Sequence, residues 1–203
     1  MRSRVIILII AALVGLSLGC SDREARRAEA DAKRAAAEAE EAKGREEAAA
    51  KREAERLAAL WSYQETAPGK MHQVTAAMSS ANNVDTDGSG AKPVRLIFRD
   101  HASWGRSSYL VLQGGDFDCY GKCIVQVTVD DAAPKPMAGR RPKTDEAIAM
   151  FVNDWQTLWN LTRGAKRIQI EFPVKAGATR TAAFDVRGLD RSKMPGWDDS
   201  TKK

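Results

Sequence analysis

The chain has 203 residues, with 32 Lys and Arg against 27 Asp and Glu, and is 43% hydrophobic but only 6% aromatic. That length accommodates one ordinary domain plus a less globular remainder and excludes two large domains. Three cysteines and two histidines are too few for a haem or a metal cluster, so no cofactor or metal is expected, and no run of about 20 apolar residues is present to span a bilayer as a permanent helix.

Arg2 and Arg4 precede an apolar run from Val5 to Leu18 that ends at Gly19-Cys20, the charge, length and small-residue exit of a signal peptide. The order Leu16-Ser17-Leu18-Gly19-Cys20 resembles the lipobox of bacterial lipoproteins, with Ser17 where many members have Leu. The resemblance implies removal of residues 1–19 and acylation (palmitate) of Cys20, which would tether the mature chain to a lipid bilayer. Several acyl chains at about 0.8 kcal/mol per buried methylene make such an anchor stable. By the same resemblance, Ser21 after Cys20 implies the inner leaflet of the outer membrane, facing the periplasm, although Asp22 follows immediately.

Residues 20–60 read as a lipidated cysteine followed by a charged stalk. Between Asp22 and Leu60 stand 15 Ala, 10 basic and 11 acidic residues, no Pro and one Gly, a strongly helix-forming and nearly neutral composition. Ala25, Ala28, Ala32, Ala35, Ala39 and Ala42 recur at steps of three and four until the stripe breaks beside Gly44, and a second seam runs from Ala50 through Ala54 and Leu57 to Trp61. Alanine buries too little area to hold a coiled coil as Leu seams do, so a single solvated helix is expected, with a weak close-packed pair as the alternative. Opposite charges four apart, such as Glu29 with Lys33, Glu41 with Arg45 and Glu47 with Lys51, support a lone helix. In composition the segment resembles the helices of TolA-type envelope-spanning proteins.

Residues 61–197 read as the folded domain and 198–203 as a disordered tail, with Pro195 to Asp199 also expected to be disordered. Alternation marks strands over Val94–Arg99, Ser108–Gln113, Cys123–Val129, Ile168–Phe172 and Thr181–Val186, while Met71–Met78 fits a strand or a short helix. A helix is predicted over Asp145–Thr162, capped by Thr144, stopped by Gly164, and carrying Ile148, Phe151, Val152, Trp155, Leu158, Trp159 and Thr162 on one face. The expected class is α+β: an antiparallel sheet or small sandwich with one amphipathic helix, preceded by the long N-terminal helix. From Trp61 onward 20 basic residues oppose 16 acidic ones, too mild an excess for nucleic-acid binding.

Candidate chemistry is sparse. Cys119 and Cys123 are four apart around Gly121, and in an exported protein a small disulfide is the leading expectation, with a redox pair or a zinc site completed by His72 and His101 as alternatives. Asn83, Asp85, Asp87 and Gly88 match the first half of a calcium loop, but Val94 occupies the position that needs a bidentate Glu, so an Asx-rich loop is expected instead. There is no nucleophile elbow and no phosphate-binding glycine loop, so no catalytic residue is assigned. Asp116, Asp118, Trp155 and Trp159 remain as a possible ligand-binding surface, the carboxylates as a rim and the two Trp either as core plugs or as an aromatic platform.

Leu96-Ile97-Phe98-Arg99, Tyr109-Leu110-Val111-Leu112, Gly115-Asp116-Phe117-Asp118-Cys119, Cys123-Ile124-Val125-Gln126-Val127 and Asp130-Asp131 together resemble a group of uncharacterised exported domains of bacteria and their prophages, over about residues 61–189. The resemblance implies no activity. The expected function is a non-enzymatic, membrane-anchored periplasmic module that binds another envelope protein. The alternatives are an envelope enzyme or enzyme inhibitor near peptidoglycan, and a prophage-encoded superinfection-exclusion lipoprotein.

Overall fold

The computed structural model describes residues 3–66, 72–142 and 148–198, with side chains from Asp22 onward, and divides into two compact units, Met1–Glu53 and Ala54–Lys203. The first unit is helix α1, which spans Ser3–Ala58 and ends in the second unit. It passes through Gly44 without interruption, and residues 22–52 are exposed all round in the single chain. Glu29 pairs with Lys33 at 2.7 Å and Glu41 with Arg45 at 3.8 Å, while Glu47 pairs with Lys43, one turn before it, at 3.9 Å. Such exposed pairs contribute a few tenths of a kcal/mol each. Cys20 and the apolar run before it lie outside the described side chains, and among the described residues no helix is long and apolar enough to cross a membrane.

The second unit is a nine-stranded antiparallel sheet with one short helix, an α+β domain. Its strands are β1 Trp61–Glu65, β2 Gln73–Val84, β3 Lys92–His101, β4 Gly105–Val111, β5 Cys123–Val129, β6 Lys135–Arg140, β7 Ala149–Val152, β8 Arg167–Pro173 and β9 Thr179–Asp185. They lie side by side in the order β1-β2-β3-β4-β7-β6-β5-β8-β9. A bulge between Ser79 and Asn83 bends β2, and Asn82 then takes the place of a backbone partner for β9. Its Nδ2 donates to Thr181 O at 2.9 Å and its Oδ1 accepts from Ala183 N at 2.8 Å. The sheet therefore rolls until its ninth strand meets its second, which protects an edge that would otherwise be free.

The concave face holds the core. Val94, Leu96 and Phe98 of β3 share it with Val125 and Val127, Ile168, Ile170 and Phe172, and Ala182 and Phe184. Phe98 is the hub: Trp61 stacks on it at 6.1 Å, and Trp159 and Trp197 meet it edge-on at 5.1 and 5.7 Å. Each of these rings removes on the order of 150–250 Å² from water, so a few of them account for much of the burial.

The helix predicted over Asp145–Thr162 is corrected. Residues 143–147, including the expected cap Thr144, fall outside the described residues, Ala149–Val152 is strand β7, and helix α2 covers only Trp155–Leu161. Its cap is Asp154, which accepts from Thr157 N at 3.0 Å. Helical spacing of Ile148, Phe151 and Val152 yields here to the need of β4 and β6 for a partner, since β7 pairs with both. The stop at Gly164, with φ 76°, is as expected. Two strands have no expectation in the sequence: β1, whose Trp61 extends a helical seam, and β6, whose Pro136 and Gly139 disguise it. The tail expectation is also corrected, because Trp197 is 0% exposed and Asp198 is bonded to the domain.

Candidate functional site

The disulfide joins Cys119 to Cys123, with Cα atoms 4.9 Å apart. It closes over Gly139 of β6, where a Cβ would come within 2.9 Å of Cys123 Sγ, so the neighbouring strand has to carry glycine there. His72 and His101 do not join these sulfurs: His72 Nδ1 donates to Thr66 O at 3.1 Å, and His101 Nδ1 accepts from Ser103 N at 3.0 Å. Among the described residues no group of three or more metal-ligating side chains converges.

Asp116 sits beside the disulfide as a clamp. Its Oδ2 receives Arg141 Nη1 and Lys175 Nζ, each at 2.6 Å, and Lys175 also donates to the Tyr120 hydroxyl at 3.0 Å. These bonds raise the Lys175 ammonium pKa above its ordinary value, the Asp116 bond most. With Phe117 bridged to Val174 and Asp118 N bonded to Pro173 O at 3.1 Å, the cysteine loop is fastened to the β8–β9 hairpin. Asp118 is exposed. The two carboxylates thus differ in role, one spent on two cations and one facing solvent.

Trp159 is fully buried, and its Nε1 donates to Asp198 Oδ1 at 2.8 Å. Arg191 lies 4.0 Å from its ring and binds Asp198 at 2.5 Å. These partners, Arg191 first and then Trp159, hold the Asp198 carboxyl at about 2. Trp155, half-buried, meets Trp197 edge-on at 5.0 Å and carries Arg106 at 5.7 Å. Of the four residues singled out in the sequence, Trp159 is a core plug, and Asp116 and the Trp pair occupy separate places, so the four form no common surface.

The convex face carries the feature that sequence reasoning missed. Ala77 and Ile97 are buried yet stand apart from the core cluster, which places their register row on the opposite face. That row runs Ser62, Ala77, Ile97, Tyr109, Phe151, Arg140 across β1, β2, β3, β4, β7 and β6. One step along β3 stands Arg99, its Cζ 5.4 Å from the Trp104 ring, 5.2 Å from Tyr109 and 5.8 Å from Phe151. Arg140 lies 5.5 Å from Phe151 on the other side. Trp104, in the β3–β4 turn, is 66% exposed while stacking at 4.0 Å on the buried ring of His101. Burial raises the Tyr109 phenol pKa against the lowering pull of Arg99 and Arg95, and the phenol stays neutral. The available signals were the outward alternation of Arg95, Arg99, Tyr109 and Phe151, but the last of these became legible only once β7 replaced a helix.

This face offers planar rings with a guanidinium held among them. Comparison with family models, with curated proteins and with solved structures finds no match to the chain.

Proposed function

We propose that the chain is a lipid-anchored cell-envelope protein whose α+β domain binds another envelope protein through the convex face around Arg99. The observation that carries this is the exposed Trp104 ring over an arginine already stacked on Tyr109 and Phe151. Trp, Tyr and Arg dominate the energetics of protein interfaces, and rings fixed in advance lose little entropy on binding. The lipobox-like residues before Cys20 and the exposed helix α1 support the accompanying architecture of anchor, spacer and presented domain.

Anchoring and recognition are separable by experiment. A Cys20→Ser variant, exported through an ordinary cleavable signal, should incorporate no labelled palmitate and should leave the membrane fraction. The released domain should still be crosslinked in intact cells to the same partner as the wild type. Retention of acyl label by the variant, or an absence of crosslinked species from the wild type, would refute the proposal.

A further inference from the structure

Resting on the proposed binding role of the convex face, we infer that its partner is an acidic protein segment, one of whose carboxylates pairs with the guanidinium of Arg99. At the outward positions of β1, β2, β3, β4, β6 and β7 there are three arginines, Arg95, Arg99 and Arg140, and no Asp or Glu. Several other cations of the domain are paired: Arg106 with Asp100, Arg141 and Lys175 with Asp116, Arg187 with Asp185, Arg191 with Asp198. Among the described residues no carboxylate lies within ion-pair distance of Arg95, Arg99 or Arg140, so the convex face carries positive charge with no counter-charge of its own.

Arg99 is the one of the three that is not exposed. It is half-buried, its Nε is buried with no hydrogen-bond partner, and so is the Oγ of Ser107, its cross-strand neighbour in the register. Three ring faces offset part of the desolvation of the charge, but rings accept no hydrogen bonds from the planar fork of donors. A carboxylate supplies what is missing, a counter-charge with two acceptor oxygens spaced to meet a guanidinium. Apolar side chains of the same segment would cover Trp104 and Tyr109, keeping water from the pair and strengthening it. An uncharged glycan would fill the rings but leave the arginine unneutralised.

The test titrates the whole chain in detergent micelles with a fluorescein-labelled peptide of alternating Glu and Leu or Phe, and with its Lys-for-Glu counterpart. The Glu peptide should bind, the Lys peptide should not, and raising salt from 50 to 300 mM should weaken binding about tenfold, as screening of contacting charges requires. Arg99→Met should lower affinity at least about tenfold, and Arg99→Lys, which keeps the charge but not the fork, should lower it nearly as far. Trp104→Ala, at an exposed turn, provides a second variant whose folding is not in question, and it should also weaken binding. Equal binding of both peptides, no binding of the Glu peptide, or no effect of Trp104→Ala and Arg99→Lys would overturn the inference. So would binding of phosphatidylglycerol vesicles without the peptide, or self-association in sedimentation that Arg99→Met abolishes, since these would assign the face to a lipid surface or to a second copy. A partner crosslinked through this face in cells together with failure of the acidic peptide would remove this inference alone, whereas absence of any partner would remove the binding role itself.

Discussion

Replacing Asp198 by Asn removes one negative charge from the clamp that holds the end of the described chain on the core, while leaving an oxygen to accept from Trp159 Nε1. The carboxyl lies at about 2 in the folded protein against an ordinary value of 3.8, chiefly through Arg191 and then Trp159, with Arg163 adding at 3.1 Å. At about 1.4 kcal/mol per pH unit this difference is worth at most about 2.4 kcal/mol. The side chain is 39% exposed, so solvent screening reduces the expected contribution to about 1 kcal/mol. Because folding lowers this pKa, the contribution is complete above pH 3.8 and is lost as the pH falls through about 2. Urea denaturation of wild type and Asp198→Asn, followed by Trp fluorescence from pH 7 to pH 2, should therefore show a gap of about 1 kcal/mol that persists down to about pH 4 and closes near pH 2. The comparison cancels Asp185, Asp87 and Asp190, whose pKa values are also lowered. Equal stability at neutral pH, or a gap that does not change with pH, would refute the clamp.

Trp197→Ala empties a fully buried site beside Phe98, Trp155 and Trp159 and should cost about 3–5 kcal/mol, read as a lower urea midpoint. Gly188→Ala should destabilise by at least about 1–2 kcal/mol in the same assay, because φ is +74° there and a Cβ would come within 2.5 Å of the Leu57 carbonyl. A chain beginning at Ala54 should melt at the temperature of one beginning at Cys20, whereas one beginning at Ser62 should melt lower, having lost Arg56, 3.7 Å from Asp185, the Leu57 contact and Trp61. Cys119→Ser with Cys123→Ser should cost about 2 kcal/mol or less, since so short a loop removes little chain entropy from the unfolded state, and calorimetry of the oxidised and variant chains would measure it.

The legible parts of the fold were those where local pattern and tertiary demand agree. Cys123–Val129 alternates cleanly and is β5, and Ile168–Phe172 lies within β8 because its apolar residues face one core. The alanine-rich segment could only be helix, and its exposure follows from a seam with little area to bury. Where the two diverge, the sequence misleads. Ile148, Phe151 and Val152 sit at helical spacing, yet they serve a strand whose neighbours on both sides come from distant parts of the chain. Trp197 is surrounded by Pro, Gly and Asp, the composition of a loose tail, and its burial depends on Arg191 capturing Asp198 after a short 3-10 turn at Arg191–Lys193. The cysteine pair was legible because its spacing and Gly121 suffice for closure. The convex arginine–aromatic face was not, because it unites residues of β3, β4, β6 and β7 and the β3–β4 turn through registers that no local pattern encodes.

The central claim is that recognition takes place on the convex face, and site-specific photocrosslinking in intact cells tests it most directly. A photoreactive aromatic residue in place of Trp104, which keeps a ring at that position, should yield a discrete adduct with one envelope protein, and Arg99→Met in the same chain should abolish it. The same probe at Glu171, exposed on β8 away from the Arg99 cluster, should yield none. No adduct from position 104, or an identical adduct from both positions that survives Arg99→Met, would contradict the account.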